Sequence, residues 1–168
     1  MIAYYHEILK SALKHEILVN FHGATLPRGW QRTYPNLMTA EAIKGFEFIS
    51  FEQKVADEAP SHMAMLPFTR NLYDPMDFTP MALYEIPNIQ RRSTSAFELA
   101  LPTLFLSGIQ HLAETPQGMS HMPDYVVEYL KDIPVAWDET KLLAGFPGKD
   151  VVMARRKGCL LYTSPSPR

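Results

Sequence analysis

Apolar residues recur at Tyr4, Ile8, Leu9, Ala12 and Leu13, a spacing that predicts an amphipathic helix over residues 3–15. Directly after it, Ile17-Leu18-Val19-Asn20-Phe21 is a short, mostly apolar run of the kind found in strands buried on both faces. A helix feeding at once into such a strand points to a parallel α/β repeat. Residues 24–37 carry Pro27, Gly29 and Pro35 and predict a long loop. Thr39 is then placed to cap a helix containing Glu41, Ala42, Ile43 and Lys44. A second apolar run, Met63 to Phe68, reads as a strand ahead of a turn-rich stretch with Pro75 and Pro80. Ser93 or Thr94 begins a helix to about Leu104 that Pro102 should bend or end. Leu104 to Ile109 reads as another buried strand, and residues 123–132 as a short helix opened by Pro123. Beyond Pro134 the pattern changes: Thr140 to Ala144 and Asp150 to Arg155 flank Phe146-Pro147-Gly148-Lys149 as an antiparallel hairpin.

Composition narrows the functional classes. The 168 residues are 46% hydrophobic and 20% charged, the balance of a chain that packs a core rather than one that stays disordered. A net charge of -2 and one short basic cluster, Arg155-Arg156-Lys157, leave no electrostatic footprint for nucleic acid. No apolar run approaches the ~20 residues of a bilayer span, so no membrane insertion is expected. The first residues lack the charged and apolar regions of a signal peptide. The single cysteine, Cys159, lies in the last ten residues, whose Ser/Pro-rich sequence is similar to a translated sequencing adapter and is expected to pack poorly. Disulfide and thiol chemistry are therefore not expected of the rest. His6, His15, His62 and His121 show no paired zinc spacing. Because the chain opens directly in a helical pattern, and two or three strand–helix units cannot close a parallel barrel, it is expected to be an interior piece of a longer protein. Such a piece should expose apolar surface that the missing part covers.

The candidate chemistry centres on residues 19–47. His22 ends the first strand, and its alternatives are a ligand-facing ring or a satisfied structural histidine. Glu41, Lys44 and Glu47 stand at i, i+3 and i+6, which on a continuous helix would share one face, either as a site or as a solvated ion-pair stripe. Asp74 and Asp77 follow the second apolar run and either line an opening or shape turns. Trp30 and Tyr34 either stack on a ligand or pack their loop. Gln110 and His111 follow the last apolar run and either reach the same opening or are ordinary loop residues.

This segment, with His22-Gly23, Arg32-Thr33-Tyr34-Pro35-Asn36-Leu37 and Glu41-x-x-x-Gly45-x-Glu47, resembles glycoside hydrolase family 97. Further blocks follow in that family's order: Leu66-Pro67-Phe68-Thr69-Arg70, Pro75 to Pro80, and Trp137-Asp138-Glu139-Thr140. The resemblance implies an α/β fold: residues 1–134 as the later part of a (β/α)8 TIM-type barrel, residues 135–158 as the first hairpin of a C-terminal β domain, and 159–168 as a non-native tail. It implies calcium bound by Glu41 and Glu47, Glu47 as the general acid/base with a pKa raised by partial burial, and His22 and Lys44 as substrate contacts. Glycine at position 23, where inverting members carry a glutamate, implies the retaining branch, associated with α-galactosidase activity. Its aspartate nucleophile would lie upstream, since neither Glu7 nor Glu16 fits a strand end, so the chain alone is expected to be inactive. The resemblance also implies an oligosaccharide or α-galactoside substrate and a periplasmic or secreted enzyme. An α-glucosidase of the same family is the close alternative, and a carbohydrate-binding surface without catalysis the distant one.

Overall fold

A computed structural model of the chain describes residues 1–166. Its elements are α1 (Ile2–Lys14), β1 (Val19–Phe21), β2 (Leu37–Ala40), α2 (Phe46–Ile49), α3 (Gln53–Met65), α4 (Arg70–Tyr73), α5 (Ser95–Leu104), α6 (Pro116–Ser120), α7 (Asp124–Asp132), β3 (Glu139–Phe146), β4 (Asp150–Lys157) and β5 (Leu160–Ser166).

The helix predicted over 3–15 forms as α1, but of its stripe only Leu9 is buried, packing with Val19, Tyr34 and Leu37. Burying one leucine in this way stabilises by about 1.5–3 kcal/mol. Tyr4 and Leu13 on the helix and Ile17 and Leu18 beyond it stay exposed, so the strand expected to be covered on both faces is not. The reason is topological: among the described residues β1 has one strand neighbour, β2, and its other edge is open.

The helix expected after a Thr39 cap is replaced by strand. Leu37–Ala40 runs parallel to β1, with Asn20 opposite Thr39 and Phe21 opposite Ala40. That pairing consumes the backbone groups a cap would have used. The next link follows the same direction. Met76 bridges Ala40 in parallel, and the Asp77 amide donates to the Ala40 carbonyl at 3.2 Å. The Met76 amide in turn donates to Leu106 O at 2.9 Å. The strand-like position is therefore Met76, while the run Met63 to Phe68, read as a strand, closes α3 and forms a turn of 3-10 helix. Leu104 to Ile109 likewise forms no regular strand but contributes that one main-chain link.

Four segments thus lie side by side in chain order, ending at Phe21, Ala40, Met76 and Leu106. Their side chains meet in alternation. Asn20 of the first segment reaches Asp77 beside the third at 2.5 Å, and Ser107 beside the fourth donates to Thr39 of the second at 3.0 Å. The main core, with Met63, Phe78, Phe97, Leu101 and Phe105 among its members, packs α3 and α5 around these segments. Thr94 caps α5 by accepting from Phe97 N at 3.1 Å, and Pro102 is tolerated in the last turn rather than ending the helix.

The predicted hairpin forms as β3 and β4, turned at Phe146–Lys149. Arg155 ties this sheet to the helical layer by donating to Leu104 O at 2.9 Å. The tail was expected to pack poorly. Instead Leu160–Ser166 pairs antiparallel along β4, and the Tyr162 hydroxyl donates to Asp132 O at 3.1 Å, although Leu160 and Leu161 remain exposed. Residues 167 and 168 of that tail lie outside the described residues.

Candidate functional site

The mouth of the parallel segments is where chain ends and loops converge. His22 follows β1, Glu41 follows β2, and Glu47 stands in the first turn of α2. One donor atom from each of His22, Glu41 and Glu47 lies within 4.8 Å of the others, so the structure brings these three sequence candidates together. The convergence does not come from a shared helix face. Residues 41–45 are irregular, and Ala42 takes a left-handed φ of 48°. A loop folded back on itself, rather than an i, i+3, i+6 stripe, carries the two glutamates to one place.

Two glycines make that loop possible. Gly23 sits at φ 58°, a left-handed conformation that costs an L-residue about 1–2 kcal/mol, and its amide donates to Glu41 Oε2 at 2.8 Å. Gly45 packs against the chain beyond Asp77: a Cβ there would lie 3.1 Å from Phe78 O and 3.2 Å from Glu41 Oε1. The Phe46 amide donates to Phe78 O at 2.9 Å and fixes the start of α2. His62 adds a hold from α3, its Nε2 lying 3.0 Å from Lys44 O.

The remaining candidates separate. Lys44 is exposed and rests its ammonium over the Phe48 ring at 5.0 Å. The partial burial expected of Glu47 is absent, because α2 presents it to solvent within this chain. Asp74 is buried but faces away from the mouth, accepting from Gly29 N at 3.0 Å and from the Gln31 side chain, and so anchors the long loop. Trp30 and Tyr34 pack against Tyr5 and His6 of α1. Gln110 holds Pro102 O and Phe105 O.

Asp77 is the residue that sequence reasoning placed too low. It is 1% exposed and receives His22 Nε2 at 2.8 Å and His111 Nδ1 at 2.7 Å. Burial alone would raise its pKa; the hydrogen bonds from His22, His111 and Asn20 outweigh that and hold it below the usual carboxylate value. The available signal was the alternation Met76-Asp77-Phe78, a lone acid between two apolar residues.

A calcium ion takes six to eight oxygens. Glu41 and Glu47 offer at most four between them, and the imidazole of His22 is a poor partner for so hard a cation. The two carboxylates therefore suit part of a calcium shell, with His22 as a neighbour rather than a ligand.

Comparison with known proteins agrees with the sequence resemblance. The profile of the family described as Glycoside hydrolase 97 matches residues 1–43. A protein named probable retaining alpha-galactosidase, from Streptomyces bingchenggensis, is 44% identical over 94% of this chain and 23% of its own length. The retaining alpha-galactosidase of Bacteroides thetaiotaomicron is 31% identical over 96% of this chain and 26% of its own. Among solved structures, a beta-arabinopyranosidase superposes with a TM-score of 0.90 at 36% identity, covering 95% of this chain and 26% of that one. A family 97 enzyme from Pseudoalteromonas sp. in complex with panose superposes at 0.77 and 32% identity, over 92% of this chain and 24% of that one. The chain spans about a quarter of the length of the relatives it matches. The chain has a mixed α/β fold that matches part of these structures, and it belongs to glycoside hydrolase family 97.

Proposed function

We propose that this chain supplies the acid/base half of the active site of a retaining, exo-acting α-galactosidase. The observation that carries the reading is the convergence of His22, Glu41 and Glu47 at the mouth of parallel segments. In this reading residues 1–134 are later units of a (β/α)8 barrel. The alternation that joins Asn20 to Asp77 and Thr39 to Ser107 supports it, because barrel interiors are layered by side chains from alternate strands. The open edge of β1, with Ile17 and Leu18 exposed, is where earlier units would pack. Residues 135–158 begin a β domain, and residues 159–168 are a non-native extension of which Leu160–Ser166 has found a strand partner.

Glu47 protonates the glycosidic oxygen as the bond to the leaving group breaks, then takes a proton from the water that releases the sugar. The nucleophile is an aspartate outside this chain, which is why the chain alone is inactive. Its partner carboxylate should stand ~5–5.5 Å from Glu47, the separation of a retaining pair. Covering of the now exposed Glu47 by the remaining barrel units would supply the burial that a general acid needs. Glu41 and Glu47 hold calcium, which when bound supplies positive charge beside the reacting centre. His22 and Lys44 contact sugar hydroxyls. Gly23 leaves the position of a water-activating glutamate empty, which supports retention. The enzyme acts on oligosaccharides or other α-galactosides, outside the cytoplasm, in the periplasm or after secretion.

A second reading is a pentopyranosidase. A β-L-arabinopyranoside carries the ring configuration of an α-D-galactopyranoside without its hydroxymethyl group, and the beta-arabinopyranosidase gives the TM-score of 0.90. An α-glucosidase is the third, and differs at the 4-hydroxyl. Proton NMR of the sugar first released from aryl glycosides by a family-length enzyme carrying this segment separates them. Release of α-galactose supports the proposal. Release of the β-anomer overturns retention, and faster cleavage of the arabinoside or α-glucoside moves the substrate.

A further inference from the structure

We propose that Asp77 is the positioning residue of this site, fixing the tautomer and orientation of both His22 and His111 so that each presents one defined acceptor nitrogen to a sugar hydroxyl. The inference rests on the glycosidase reading above and adds His111 and Asp77 to it.

Asp77 has no access to solvent, yet all of its partners are donors. Oδ2 accepts from Asn20 Nδ2 at 2.5 Å, His22 Nε2 at 2.8 Å and His111 Nδ1 at 2.7 Å. Oδ1 accepts from Thr79 N at 3.2 Å and Thr79 Oγ1 at 3.3 Å. An ionised carboxylate can only accept, so a ring nitrogen facing it must carry a proton. In the neutral rings this makes His22 the Nε2–H tautomer and His111 the Nδ1–H tautomer. The lone pairs are then on His22 Nδ1 and His111 Nε2.

Neither of those nitrogens has a hydrogen-bond partner among the described residues. His22 Nδ1 lies 3.8 Å from Glu41 Oε1, too far for a hydrogen bond, and its side chain is 38% exposed. The His111 side chain is 51% exposed, so the nitrogen opposite its Asp77 contact looks into solvent. One buried carboxylate thus holds two half-open imidazoles that come from the first and fourth segments of the mouth, 89 positions apart in the sequence. Each acceptor suits a sugar O–H, and together they read two hydroxyls of one ring. A buried carboxylate that served packing alone would not need two imidazoles left open on their far sides.

The first test uses the chain itself, labelled with 15N-histidine. Two-bond proton–nitrogen spectra should show His22 protonated at Nε2 and His111 protonated at Nδ1, the latter being the less common form of a free imidazole. His111 found as the Nε2–H form, or either ring exchanging between forms, overturns the proposal without any variant being needed. In Asp77→Asn both signatures should be lost while thermal unfolding stays cooperative. The second test uses a family-length enzyme carrying this segment and an aryl α-galactoside. Asp77→Asn should lower kcat/KM by about 10–100-fold, the usual cost of removing the partner that orients a functional histidine. The loss should be smaller in a His111→Gln background, because the share that passes through that ring is already gone while the share through His22 remains. Turnover of the galactoside with an Asp77→Asn effect below threefold sinks the positioning role and leaves the function standing. No galactoside turnover, with both tautomers as stated, sinks the substrate assignment and leaves Asp77 as the residue that sets the rings.

Discussion

Replacing Gly45 with alanine isolates the contact that joins α2 to the mouth. The backbone at Gly45 has φ -76° and ψ -174°, which alanine adopts without strain, so backbone strain contributes nothing. The new methyl would meet Phe78 O at 3.1 Å and Glu41 Oε1 at 3.2 Å, closer than carbon and oxygen tolerate at rest. Either α2 retreats and stretches the Phe46–Phe78 hydrogen bond, worth about 1 kcal/mol, or the Glu41 carboxylate turns away. Gly45 is also the N-cap of α2, where alanine is worse than glycine by about 0.5 kcal/mol. The sum is a loss of about 1.5 kcal/mol, or a fall in Tm of about 3–6 °C for a chain of this size. Circular-dichroism melts with and without calcium measure it. Where the Glu41 carboxylate is what gives way, calcium should also raise the Tm of Gly45→Ala less than that of the parent. A variant with the parent's Tm and the parent's calcium response would show that Gly45 is not a packing constraint and that the Glu41 position does not depend on it.

Other perturbations follow from the same geometry. Gly23→Ala should cost about 1–2 kcal/mol through its left-handed φ, read by urea denaturation, since a Cβ there meets nothing within 4 Å and only the backbone is strained. In the folded state Asp77 is held below the usual carboxylate range, so its contribution is present above the unfolded-state pKa and is lost as pH falls through the folded one. Stability should therefore drop on acidification below about pH 4, and Asp77→Asn should flatten that part of the curve. Burial pushes the pKa of Arg155 down to about 10, and its contact with Leu104 O joins sheet to helix. Arg155→Leu leaves that carbonyl unpaired and should cost about 1–3 kcal/mol in denaturant titrations. Pairing with β4 should slow amide exchange at one of the adjacent residues Leu161 and Tyr162, since hydrogen bonds alternate along an antiparallel edge, and free exchange at both would refute the third strand.

Local patterns were legible where one element makes its own case. The spacing of α1, the Thr94 cap and the turn at Phe146–Lys149 each rest on a few adjacent residues, and each formed close to where the sequence placed it. Thr39 was misread because a threonine before a Glu-Ala-Ile-Lys run fits a helix start as well as it fits a strand, and only the parallel partner β1 decides between them. Met63 to Phe68 was misread because a short apolar run does not distinguish a buried helix end from a strand. At the site, His22, Glu41 and Glu47 were visible through their resemblance to a family motif, although the loop that joins them is not the helix their spacing suggested. Asp77 and His111 were harder because their meaning is a contact across 34 positions, and the alternation Met76-Asp77-Phe78 marks Asp77 without telling which partner it meets. Asp74, three residues earlier, faces the other way and holds a loop.

The central claim is that Glu47 is the acid/base of a retaining mechanism, and chemical rescue of Glu47→Ala tests it most directly. In a family-length enzyme carrying this segment, the variant should turn over an aryl α-galactoside with a good leaving group slowly, because release of the covalent sugar then lacks its base. Added azide should restore the rate and give α-galactosyl azide, the product of two inversions. Formation of the β-azide would make Glu47 the nucleophile or the mechanism inverting, and unchanged turnover without azide would remove Glu47 from the chemistry altogether.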